Sequence, residues 1–177
     1  MLLPGLEPDR VFSSVTGPVF CRPAYTIFRR AMQYSGAIDA IAKHKGPLFF
    51  FPVPDYSLMA DSSLMINWLD KEKDIFNFEV LNKLTRQVET VGSGTLRNWI
   101  LNQVGVSVST SNGKEVIRTL GGKNITWDHN NNTIQGAYPC TKGYKSDITV
   151  TCSPFALDEP ADNGKTLAVG YWFNFTN

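Results

Sequence analysis

Apolar side chains recur three and four positions apart through the first half of the chain and two apart through most of the second. From Ala24 to Ala42 the recurring set is Ile27, Phe28, Ala31, Met32, Ile38 and Ile41. That spacing places them on one side of a helix, or of two short helices broken at Ser35-Gly36. Gly46-Pro47 stops the pattern, since proline disfavours a helical residue before it and glycine favours a turn. Leu48 to Val53 then reads Leu-Phe-Phe-Phe-Pro-Val. A run that short, between prolines, predicts a strand buried on both faces. Phe78, Val80, Leu81, Leu84 and Val88 form another helical stripe, with Glu79, Lys83, Arg86 and Gln87 outside it. Gly92-Ser93-Gly94 separates it from a third stripe, Leu96, Trp99, Ile100 and Val104, for which Thr95 is the expected N-cap.

From Gly105 the period is two. Val106 and Val108 alternate with serines and so share a face, and Val116 to Leu120 makes a second short run. Ile125 and Trp127 lead into Asp128-His129-Asn130-Asn131-Asn132, a cluster suited to a turn, after which Thr133-Ile134-Gln135 returns as the second arm of a hairpin. Ile148, Val150 and Cys152 alternate again. In the last strand Leu167, Val169, Tyr171, Phe173 and Phe175 point one way, and Ala168, Gly170, Trp172 and Asn174 the other. Helices first and strands after predict an α+β domain, with no internal repeat and no low-complexity linker.

Composition narrows the class without changing it. The 177 residues suit one domain, and 42% apolar with 19% charged residues is the balance of a globular chain. Seventeen basic and sixteen acidic residues leave a net charge of +1, with no electrostatic footprint for nucleic acid or an anionic membrane. The charge runs Asp70-Lys71-Glu72-Lys73-Asp74 and Asp158-Glu159 read as solvated surface. The longest apolar stretch, Pro47 to Pro54, is far below the roughly 20 residues of a spanning helix, so no transmembrane segment is expected. Met1-Leu2-Leu3-Pro4-Gly5 lacks the basic region and apolar core of a signal peptide, so an exported protein would be seen in mature form.

Candidate chemistry is sparse. Cys21, Cys140 and Cys152 are odd in number, which leaves at least one thiol unpaired in a monomer. Cys140 and Cys152 flank a hairpin centred near Ser146; a bridge there would close a loop of about a dozen residues worth roughly 3 kcal/mol. Three half-buried thiols are the alternative. His44 lies between Lys43 and Lys45 at a helix end, and His129 in a polar turn. No Gly-x-Ser-x-Gly elbow, phosphate loop or dinucleotide fingerprint occurs, and Asp158 and Asp162 read as solvated turn residues. No catalytic residue, metal site or cofactor is therefore expected. Asn-x-Thr sequons stand at Asn124, Asn131 and Asn174, acceptors only in a eukaryotic secreted protein. Tyr138, Tyr144, Tyr171 and Trp172 exceed what a core needs, and planar rings suit stacking on sugars or protein surfaces.

Taken in order, these elements resemble the fasciclin-like domain across about residues 23 to 176. The helix Tyr25-Thr26-Ile27-Phe28 through Gly36 to Ile41 looks like the family's opening helix. Leu48-Phe49-Phe50-Phe51-Pro52-Val53-Pro54-Asp55-Tyr56-Ser57-Leu58 looks like its strand-and-turn signature, typically Thr-Val-Phe-Ala-Pro-Thr-Asp. The helix that ends in a Tyr-His pair aligns with Trp99-Ile100-Leu101-Asn102-Gln103, and the Thr-Leu-Gly-Gly strand opening with Thr119-Leu120-Gly121-Gly122. The closing Asn-Gly strand aligns with Asn163-Gly164 through Tyr171. The resemblance implies a β-sandwich core with several helices packed beside it, a domain spanning 23–177 after an N-terminal segment 1–22, and a role in adhesion or in matrix and surface binding. It also implies export to the cell surface or extracellular space, as in bacterial surface lipoproteins whose lipid anchor would lie outside this chain.

Asn102-Gln103 replaces the Tyr-His pair, so the integrin binding associated with that region in animal members is not carried over. The expected function is a non-enzymatic adhesion or ligand-binding module for a surface protein or glycan. The alternatives are a glycan-binding accessory module or glycan-acting enzyme of the surface, and a structural spacer of a larger extracellular protein. Candidate binding residues are the aromatics Tyr144 and Trp172, together with Asn102 and Gln103, which offer hydrogen bonds but no acid or base. Gln103 also falls near the stripe of Leu96, Trp99 and Ile100, where it would instead be a satisfied, buried amide.

Overall fold

The computed structural model describes residues 12–55, 82–86, 94–136, 155–156 and 161–169. The chain enters through helix α1 (Gly17–Cys21) and a 3-10 turn over Pro23–Tyr25. Helix α2 (Thr26–Ser35) stops at Gly36, whose φ of 78° is left-handed and whose N–H bonds to Gln33. Glycine reaches that conformation without a Cβ clash, so the chain turns at once into α3 (Ala37–Lys43). The single helical stripe therefore becomes two helices broken at Ser35-Gly36, and both bury the apolar set anticipated for them. Helix α4 (Leu96–Leu101) begins at Thr95, whose side chain accepts from the Asn98 N–H at 3.1 Å, as the N-cap reading expected. Residues 82–86 are helical and place Leu84 in the core. The rest of that stripe, Phe78, Val80, Leu81 and Val88, lies outside the described residues.

Seven strands follow one another across the sheet in the order β5-β4-β3-β2-β1-β7-β6. They are β1 (Leu48–Phe50), β2 (Val104–Ser111), β3 (Lys114–Thr119), β4 (Asn124–Asp128), β5 (Thr133–Gly136), β6 (Phe155–Ala156) and β7 (Gly164–Ala168). β1 pairs antiparallel with β2 and parallel with β7; every other pairing is antiparallel. From β5 to β7 this mixed sheet curls into a half-barrel. Mixed helix and strand content, with helices packed beside the sheet, matches the α+β class read from the sequence.

Two apolar cores lie on opposite faces of the sheet. The larger joins Phe28, Met32, Ile38, Ile41 and Trp99 of the helices to Phe50 and Val104. The smaller, inside the curl, holds Phe51, Ile117, Ile125, Ile134, Leu167 and Val169. Phe50 and Phe51 enter different cores because successive side chains of an extended segment point to opposite faces. Burial on both faces thus holds, but the ladder is shorter than the apolar run. Pairing ends at Phe50, beyond which Pro52 and Pro54 have no N–H to donate.

Two further features go beyond the sequence readings. N-terminal to residue 22, Val15 and Val19 are fully buried members of the larger core. Val15 and Val19 stand four apart, but Gly17-Pro18 between them reads as a turn and hides that spacing. Val108 is 54% exposed, because the ladder is interrupted by an irregularity between Ser107 and Ser109 that leaves it unpaired. The last strand is described only to Val169, with Leu167 and Val169 in the smaller core as expected. Tyr171 to Phe175, the alternating run Ile148 to Cys152 and the thiols Cys140 and Cys152 lie outside the described residues; Cys21 is a free, exposed thiol.

Candidate functional site

Five polar residues of the resemblance motifs, Asp55, Asn102, Gln103, Thr119 and Asn163, are buried where helices meet sheet. Asp55 accepts at 2.8 Å from the Ile27 N–H, a donor in the first turn of α2 that no helical carbonyl can reach. Gln103 donates from Nε2 to the Phe51 carbonyl at 2.8 Å, while the Phe51 N–H donates to the Gln103 carbonyl at 2.7 Å. Thr119 donates from Oγ1 to Asn102 Oδ1 at 2.8 Å and accepts from the Lys123 N–H at 2.9 Å. Asn163 accepts from the Val15 N–H at 2.9 Å and donates to the carbonyls of Ile41 and His44 at 3.0 and 2.8 Å. One amide thereby ties the N-terminal segment and the end of α3 to the start of β7. Gly164 follows it with φ of 146°, and a Cβ there would collide with the Leu48 carbonyl oxygen.

These amides are structural. Asn102 is 2% exposed and Gln103 0%, so neither reaches a ligand, which corrects their place among the candidate binding residues. The physical reason is the helix-to-strand passage from α4 to β2, which runs through the larger core and needs side-chain partners for its backbone. The alternative reading of Gln103, a satisfied and buried amide, is the one its geometry matches. Tyr144 and Trp172 lie outside the described residues.

An open depression of about 560 Å³ lies elsewhere, on the outer face of β2, β3 and β4. Cα pairing sets its plan: Ser109, Val116 and Thr126 form one row, and Ser111, Lys114 and Asp128 the next. Val106, Arg118 and Asn124 continue the same face toward the helices. The bulge at Val108 makes this possible. It inserts one residue between Ser107, which faces the curl with Ile117, and Ser109, which faces outward with Val116. The hydroxyls of Ser109, Ser111 and Thr126 and the Lys114 ammonium have no hydrogen-bond partner among the described residues.

Asp128 is the exception on this face. Its Oδ1 accepts from the backbone of Asn130 at 3.0 Å and of Asn131 at 3.4 Å, and its Oδ2 from the Asn131 side chain at 3.0 Å. Burial works to raise its pKa. The Asn131 and Asn130 N–H groups, the Asn131 amide and the Lys114 charge outweigh it and hold the carboxyl below its ordinary value. Asp128 therefore fastens the β4–β5 turn and leaves little acceptor capacity for a ligand.

On the opposite face His129 stacks on Trp127 at 4.4 Å and pairs with Glu115 at 2.9 Å. His44 accepts from the Gly46 N–H through Nδ1 at 2.9 Å and so serves its own turn. Among the described residues no three His, Cys, Asp or Glu side chains gather to hold a metal. No described helix is long and apolar enough to cross a membrane.

The outward row was not singled out from the sequence, although Lys114, Val116 and Arg118 alternate with Glu115, Ile117 and Thr119. Reading Val116 to Leu120 as one apolar run hid that alternation. No protein-family model matches this chain, and no curated protein matches its sequence.

Proposed function

We propose that the chain is a fasciclin-like domain with a sandwich-type core, acting as a non-enzymatic adhesion or ligand-binding module of the cell surface or extracellular space. One observation carries this reading. Asp55, Thr119 and Asn163, drawn from three separate motifs of the resemblance, are all buried, and each is bonded to another part of the chain at the junction of helices and sheet. Residues that recur in a family for the sake of its fold belong in such a place. The smaller core adds to this, since Ile134 of β5 and Leu167 of β7, from distant strands of one curled sheet, belong to the same apolar cluster. With the motif amides committed to the interior, contact with a ligand falls to the outer face of β2–β4 and to the aromatics Tyr144 and Trp172. The partner is a surface protein or a glycan.

The test is a binding screen of the whole chain against glycan and surface-protein arrays, followed by variants. Gln103→Ala is expected to cost about 1–3 kcal/mol of stability through the unpaired Phe51 carbonyl, with ligand affinity unchanged. Tyr144→Ala and Trp172→Ala are expected to weaken binding at nearly unchanged stability. Loss of binding in Gln103→Ala without loss of stability, or turnover of a glycan in the screen, would overturn the reading.

A further inference from the structure

We propose that the outer face of β2–β3–β4 binds an acidic saccharide polymer, its oxyanions on Lys114 and Arg118 and its hydroxyls on Ser109, Ser111 and Thr126. This rests on the binding-module reading and names the ligand class. β3 presents Lys114, Val116 and Arg118 on one face, and all three are at least partly exposed. At roughly 3.3 Å per residue the two cations stand about 13 Å apart along the strand, which favours an extended polymer over a single small anion. Between them Val116 offers an apolar patch, flanked in its own row by the Ser109 and Thr126 hydroxyls.

The charges are available. Lys114 makes no ion pair among the described residues, although its charge acts on the neighbouring Asp128 carboxylate, whose oxygens bond to Asn130 and Asn131. Arg118 spends one long contact, 3.4 Å, on Asn124 and keeps its remaining donors. Among the described residues the lining is cationic, hydroxylated and aliphatic, so charge and hydrogen bonds rather than stacking supply the affinity there. An acidic peptide is the competing class. β3, which carries both cations, is paired along its length with β2 and β4, so a peptide could not add to it as a strand. Short hydroxyl side chains suit a polyhydroxylated partner better.

The experiment measures binding of the full chain to four immobilised linear polymers: polygalacturonate, dextran sulfate, dextran and polyglutamate, at low and high salt. Binding to polygalacturonate, dextran sulfate or both, weakened by salt and absent for dextran, is the expected result. The first two polymers separate carboxylate from sulfate as the recognised oxyanion. Lys114→Gln and Arg118→Gln are each expected to lose about tenfold or more in affinity, and Thr126→Val a few-fold, at unchanged melting temperature. Lys43→Gln, in α3 and paired with Asp39, should bind as the parent does. Equal binding of dextran, preference for polyglutamate, an equal loss in Lys43→Gln, or no binding to any polymer would overturn the acidic-saccharide assignment. The module reading is judged separately. If a ligand found in the array screen is lost in Thr126→Val, the face stands as a site and only the ligand class falls; if it binds all three face variants normally, the site itself is wrong.

Discussion

Asp128 and Thr95 show two ways in which a single polar side chain finishes a turn of backbone. Thr95 caps a helix three residues away, so both donor and acceptor lie in one short stretch and the cap is legible in the sequence. Asp128 caps the turn that follows it, and the asparagines after it signal that turn equally well. Asp55 does the same service for α2 across 28 positions, and nothing local in the sequence announces it. The lowered pKa of Asp128 makes its contribution testable by pH. Because the folded protein holds this proton more weakly than the unfolded chain, its stabilisation is complete above the ordinary carboxylate pKa of about 3.9 and fades as pH falls through the lower folded value. Asp128→Asn is therefore expected to be less stable than the parent at neutral pH, with the gap closing below about pH 4. Urea denaturation across that range measures it, and a gap that stays constant with pH would contradict the assignment.

At the scale of elements, hydrophobic period was a good guide to helices and a partial one to strands. Three and four spacing located α2, α3 and α4 because each buries one stripe against a single core. Strand period gave the correct hairpin at residues 124–136, where Ile125, Trp127 and Ile134 share a face and the polar turn lies between. It failed at β2, because a bulge changes which residues share a face without changing composition. Val106 and Val108 look equivalent in sequence, yet Val106 packs against the larger core and Val108 is exposed. Val108→Ser is accordingly expected to alter stability by no more than about 0.5 kcal/mol, and Val106→Ser to cost about 1 kcal/mol or more. Chemical denaturation of both variants decides the matter; equal costs would restore the simple alternation. The same bulge explains why the candidate site was less legible than the fold. Ser109, Ser111 and Lys114 come to one face only once the extra residue is counted.

For the whole molecule, the sequence conveyed an α+β class but not how its two ends are joined. Val15 and Val19 belong to the larger core, the Val15 N–H bonds to Asn163, and the Val15 carbonyl accepts from Thr166. A chain beginning at residue 23 would lose two buried side chains, each worth about 1.5–3 kcal/mol of gross burial, and deprive Asn163 Oδ1 and the Thr166 hydroxyl of their bonds to the Val15 backbone. Against a typical net stability of about 5–15 kcal/mol, that deletion is expected to abolish or sharply lower the cooperative thermal transition. Calorimetry of 23–177 beside the full chain tests it, and an undiminished melting temperature would mark residues 1–22 as a separate segment. The parallel pairing of β1 with β7 also bears on how the protein is made. Leu48 lies beside Gly164, so the middle of the sheet stays one strand short until most of the chain has left the ribosome. Vectorial synthesis can build the larger core around Phe50 once Val104 has emerged, but Phe51 must wait for Leu167 and Val169 of the smaller core. Until then the smaller core stays open, and its apolar face is what the unfinished chain offers to association with other chains.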